Sequence, residues 1–87
     1  MEATIEISMY PLNQDYEPHI IAFINELKAY ESFKVRVNET STHLFGDFDE
    51  IFDALKSEIK KSYAKHQKTV FVMKVLGANI EGSASSL

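Results

Sequence analysis

The chain has 87 residues, 45% hydrophobic and 25% charged, a balance that suits one ordinary globular domain rather than a disordered segment. Its net charge of −4 argues against a nucleic-acid partner, which favours a basic stripe, and against an anionic membrane surface. With no cysteine there is no disulfide, no thiolate nucleophile and no Cys-based zinc site.

Ala3, Ile5, Ile7 and Met9 alternate with Glu2, Thr4, Glu6 and Ser8, the period of two that marks a half-buried strand. Pro11 has no amide to give a sheet, so this strand is expected to end near Tyr10, with a polar loop over residues 12–17. A helix follows over about Asp15 to Tyr30. Ile20, Phe23, Ile24 and Leu27 share one face at i, i+3, i+4 and i+7. Asp15 is the candidate N-cap, and Pro18 falls in the first turn, where an amide has no intrahelical partner. Phe33, Val35 and Val37 alternate with Lys34 and Arg36 in a second strand. Asn38-Glu39 reads as a hairpin turn, because Asn tolerates positive φ. The third strand is then Thr40 to Phe45, broken by Gly46.

Asp47 with Glu50 three residues later is a capping-box pattern with Asp in the hydroxyl role. The second helix is expected over Phe48 to His66, burying Ile51, Phe52, Leu55, Ile59 and Tyr63. Acids at its start and lysines at its end complement the helix dipole. The last strand, Thr69 to Leu76, is apolar on both faces apart from Lys74. The small polar residues beyond it are expected to fray, which gives a domain over residues 1–80 and a flexible tail over 81–87. No apolar run approaches the ~20 residues that span a bilayer, and no basic and apolar leader follows Met1. A cytoplasmic chain is therefore expected.

The order β-α-β-β-α-β implies an α+β, ferredoxin-like domain: a four-stranded antiparallel sheet with two helices on one face. The second face of the last strand then needs cover, and self-association through sheet faces or edges would supply it.

Catalytic signatures are missing: no G-x-S-x-G elbow, P-loop, G-x-G-x-x-G or H-E-x-x-H occurs. A hydrolase built from His43, Ser41 and Asp47 is one reading. Three dispersed histidines give no metal spacing, and the acids of "DFDEIFD" suit helix capping better than a calcium loop. Small-molecule binding is the stronger reading. Glu6, Ser8 and Tyr10 share one parity on the first strand; Ser41, His43 and Phe45 share one parity on the third, with Thr42 on the other. In this fold those strands are central neighbours, so their hydroxyls, carboxylate and aromatic rings form one polar stripe that suits a heteroaromatic ligand. The competing explanation is that the stripe is simply solvated.

"ISMYPL" (Ile7 to Leu12), "TSTHLFGDFDEIFDAL" (Thr40 to Leu55) and "VFVMKVL" (Val70 to Leu76) resemble the YkoF-like family of thiamine/hydroxymethylpyrimidine-binding proteins. The resemblance covers nearly the whole chain. It implies the same fold, and non-enzymatic binding of thiamine or its pyrimidine precursor in vitamin B1 salvage or uptake, without a further cofactor. Two such domains occur in one chain in the family, so this single domain is expected to form a homodimer or homotetramer. On that footing Glu6 is the expected partner of the aminopyrimidine ring. Ser8, Ser41 and Thr42 are hydroxyl contacts, Tyr10 or Phe45 a stacking surface, and Asp47 a rim residue; His43 completes the set. The alternative is a structural or regulatory oligomerisation domain that binds another small ligand or a protein.

Overall fold

The computed structural model describes residues 1–82. Its elements are β1 (Glu2–Pro11), α1 (Tyr16–Lys28), β2 (Phe33–Val37), β3 (Thr42–Asp47), α2 (Phe48–Lys65) and β4 (Thr69–Leu76). The strands form one antiparallel sheet in the order β2-β3-β1-β4, so β1 and β3 are central neighbours. Both helices cover the same face. The core there is Ile5, Ile7, Phe23, Leu27, Phe33, Leu44, Ile51, Ala54 and Leu55. No helix among the described residues is long and apolar enough to cross a membrane.

Several local expectations change. β1 runs on to Pro11, which is compatible with β structure where the neighbouring strand does not need its amide. The Asp15 side chain caps nothing; instead Asn13 Oδ1 accepts from the Asp15 amide at 2.7 Å. β3 starts at Thr42 rather than Thr40, because the Asn38 amide donates to the Ser41 carbonyl at 2.8 Å and closes the loop first. That loop needs no left-handed residue: among the described residues only glycines have positive φ.

Gly46 does not break β3 but lies inside it. It opposes Phe33 in register, and a Cβ on it would sit 2.7 Å from Phe33 Cβ. Asp47 does cap α2, its Oδ2 accepting from the Glu50 amide at 3.2 Å.

The buried ridge of α2 is Ile51, Ala54, Leu55 and Glu58, while Phe52 and Ile59 pack at its flank and Tyr63 is 39% exposed. Glu58 stands at i+7 from Ile51, so helix geometry buries it whatever its charge. Its Oε2 accepts from the Tyr30 hydroxyl at 2.8 Å and from Lys61 Nζ at 3.3 Å.

The tail does not fray at Gly77. Residues 77–82 turn back across the uncovered sheet face, where Thr4 and Lys34 hold them. The flexible tail expected over 81–87 lies, from residue 83 on, outside the described residues.

Candidate functional site

The period of two in β1 and β3 sends their polar residues to the sheet face that the helices leave open. Register sets them in rows across the strands. One row is Leu76, Thr4, Phe45 and Lys34; the next is Lys74, Glu6, His43 and Arg36. The second row is the chemical centre of the face. Glu6 Oε2 accepts from Ser41 Oγ at 3.2 Å and lies 3.2 Å from His43 Nε2. Its Oε1 is 3.6 Å from Lys74 Nζ. His43 Nδ1 meets the Asn38 side-chain amide at 2.8 Å. With that amide donating, the ring proton sits on Nε2 and points at Glu6. Lys74 is 84% exposed, so its ion pair adds little stability and leaves the ammonium available.

Ser8 and Ser41 link this row to a recess. β3 ends its pairing with β1 at Ile7, which leaves Ser8 to Pro11 with no strand on that side. A recess of about 90 Å³ opens there, walled by Ile7, Met9, Phe23 and Ile24 and rimmed by Ser8, Ser41 and Thr42. Ser8 Oγ also donates to the Thr40 carbonyl at 3.2 Å. The recess has apolar walls and hydroxyls in its lining, but at about 90 Å³ it is well short of the several hundred Å³ of a ligand pocket and can add only a side pocket to the open face.

The eight expected site residues are thus divided. Glu6, Ser41 and His43 are in direct contact. Ser8 stands beside them. Thr42 faces the helices, is buried, and reaches the site only through the recess. Tyr10 lies farther along the open face opposite Val70 and is 52% exposed. Phe45 is on the open face yet only 3% exposed, with the Arg36 guanidinium carbon 5.0 Å from its ring centroid and the His43 ring 6.1 Å away. With Arg36 over its ring, it offers no free stacking surface as it stands. Asp47 is taken up by capping, and its Oδ1 lies 3.5 Å from the Met1 ammonium. Accepting the Glu50 amide holds its carboxyl below the usual range; burial opposes this, and the charge of that ammonium adds a smaller lowering effect.

Sequence reasoning did not include Lys74, Arg36 or Asn38. Lys74 had a signal, as the lone charge in an otherwise apolar strand. Nor did it bring His19 and His66 together; their ring centroids are 3.4 Å apart beside a recess of about 70 Å³ between α1 and α2. Among the described residues no three His, Asp or Glu side chains are arranged to hold a metal ion.

Solved structures share this architecture over almost its whole length. A Thermotoga maritima protein provisionally assigned to thiamine biosynthesis/salvage matches with TM-score 0.86 at 22% identity, covering 99% of this chain and 98% of that one. A Streptococcus pneumoniae protein matches with TM-score 0.84 at 24% identity, covering 99% and 97%. A hypothetical protein of Methanocaldococcus jannascii matches with TM-score 0.82 at 25% identity, covering 98% and 94%. Among curated proteins none matches significantly. The sequence model of the YKOF-related family matches residues 2–83.

Proposed function

The chain belongs to the YKOF-related family, and from that footing we propose that it is a non-enzymatic cytoplasmic protein that binds thiamine or its hydroxymethylpyrimidine moiety in vitamin B1 salvage or uptake. The observation that carries the reading is the Glu6 carboxylate, held on the open sheet face by Ser41, His43 and Lys74. A carboxylate suits the amino edge of a pyrimidine and the cationic thiazolium alike. Ser41 and His43 orient it, so it is preorganised before ligand arrives.

The same contacts favour holding a ligand over hydrolysing one. Ser41 gives its proton to Glu6, and Asp47 serves the α2 amides, so Ser41, His43 and Asp47 do not form a nucleophile-base-orienter chain. The reading includes self-association, because β4 is an unpaired edge that exposes apolar side chains on both faces.

Calorimetric titration with thiamine and with hydroxymethylpyrimidine tests the proposal. Saturable binding is expected with at least one of them. Glu6→Gln should weaken it by roughly tenfold, as the loss of one hydrogen bond to a charged group does. Absence of both heat and thermal shift with either ligand would rule the reading out.

A further inference from the structure

After Gly77 the chain crosses the open face as a short strap. Thr4 Oγ1 donates to the Ala78 carbonyl at 2.8 Å and accepts from the Ile80 amide at 3.0 Å. Asn79 Nδ2 donates to Glu2 Oε1 at 3.1 Å, and Glu81 Oε2 reaches Lys34 Nζ at 3.1 Å. Thr4 and Lys34 stand in one register row with Phe45 between them, so the strap's anchors fall on either side of Phe45. The strap covers Thr4, and together with Arg36, whose guanidinium lies over the Phe45 ring, it accounts for exposures of only 5% at Thr4 and 3% at Phe45 on a face no helix covers.

The strap is held by few contacts. Its outer anchor is an ion pair whose lysine is 74% exposed. Ordering these residues opposes those contacts, which places the strap among the more easily opened parts of the fold. What it presents to Thr4 is one acceptor and, two residues on, one donor. A hydroxyl that both donates and accepts reads that pair. The amino edge of a pyrimidine presents the same pair, a ring nitrogen that accepts beside an amino group that donates. Phe45 supplies aromatic surface next to Thr4, and Glu6 and His43 occupy the adjoining row.

We propose that the strap is a displaceable stand-in for ligand: the heteroaromatic ring takes its place on Thr4 and against Phe45, with Glu6 and His43 reaching the ring's substituents. The proposal rests on the reading that a polar heteroaromatic ligand binds this face. Apparent affinity is then reduced by the fraction of molecules whose strap is closed.

The test titrates thiamine and hydroxymethylpyrimidine into four full-length proteins: wild type, Ile80→Pro, Glu81→Lys and Thr4→Val. Ile80→Pro removes the strap's donor, and Glu81→Lys turns the Lys34 pair repulsive; neither alters the floor of the site. Ile80→Pro is expected to tighten binding about fivefold, the effect of one ordinary hydrogen bond on strap closure, and Glu81→Lys by a smaller factor of about two, because its ion pair is exposed. Amide exchange in the strap should speed up while the global unfolding midpoint stays in place. Thr4→Val frees the strap but also removes the ligand's hydroxyl partner, so the two effects offset and apparent affinity should stay within about twofold of wild type, without the gain seen in the strap variants. Unchanged or weaker binding in both strap variants overturns the proposal and leaves the ligand reading intact. Tighter binding to Thr4→Val overturns it as well, because Thr4 would then serve the strap alone. No heat in any of the four proteins overturns the ligand reading itself, and the stand-in role with it.

Discussion

Gly46 shows how one absent methyl group sets a strand pair. Its missing Cβ lets β3 approach β2 so closely that any side chain there would meet Phe33 Cβ at 2.7 Å. Phe33 is itself a core residue, so it has little room to withdraw. Gly46→Ala is expected to cost about 1–3 kcal/mol, seen as a lower denaturant midpoint at unchanged slope. An unaltered midpoint would show that Phe33 yields. Glu58 poses the opposite problem, a carboxylate 3% exposed among apolar neighbours. Its bond to the Tyr30 hydroxyl raises that phenol above its ordinary value of 10.0, with burial adding to the effect. A folded pKa above the unfolded one means the contact stabilises the protein below pH 10.0 and is lost as pH rises through the higher folded value. Tyr30→Phe leaves Glu58 short of a donor and should cost about 1–3 kcal/mol at neutral pH. It should also flatten the alkaline fall in melting temperature; a fall as steep as the wild type's would place the titrating group elsewhere.

At the scale of elements, the start of α2 carries the acid response. Asp47 is depressed below its ordinary 3.8, chiefly because it accepts the Glu50 amide. The cap therefore stabilises the fold above that ordinary value and is lost as pH falls through the lower folded one. Asp47→Asn keeps an accepting oxygen but not the titration. Its melting temperature should decline less between pH 5 and pH 2 than the wild type's, and parallel curves would refute the assignment. The cap was legible in the sequence because capping is local, needing only Asp47 and a residue three positions on. Strand faces were legible for the same kind of reason. A period of two and the order of elements together bring Glu6 beside His43. The boundaries were less so: Thr40 and Ser41 have strand-like character, but one loop hydrogen bond from Asn38 to Ser41 decides where β3 begins. Glu58 escaped notice because pattern reading takes apolar residues as buried, whereas the helix buries a position. The strap was least legible of all. Its contacts join residues more than 70 positions apart, Thr4 with Ala78 and Ile80, and no local pattern encodes a chain reversal that rests on two hydrogen bonds to one buried hydroxyl.

At the scale of the whole molecule, one side of the sheet ends at β4. Val70, Val72 and Leu76 on the open face are 46–52% exposed, and Met73 and Val75 on the helix side are 38% and 50% exposed. Sheet edges are ordinarily blunted by charges, proline or bulges, but this eight-residue edge carries Lys74 alone. A second copy's β4, paired antiparallel about a two-fold axis, would satisfy the free ladder groups and cover apolar surface on both faces together. Residues opposed across such a pair share a face. With the axis at the middle of the strand, on Val72 or Met73, Val72 opposes either its own counterpart or the copy of Lys74. A lysine at position 72 therefore meets a lysine in both registers, and like charges directly opposite are destabilising. In the single chain the same substitution is benign, since Val72 is 52% exposed and lies outside the core. Sedimentation velocity at micromolar concentration should show the wild type as a dimer or larger and Val72→Lys as a monomer with an unchanged circular dichroism spectrum. A monomeric wild type, or a variant that keeps the wild-type mass, would mean that β4 meets something other than itself. Because Lys74 is both the edge strand's only charge and a partner of Glu6, the pairing also bears on the site: a neighbouring copy at this edge would desolvate that ammonium and strengthen its hold on the carboxylate.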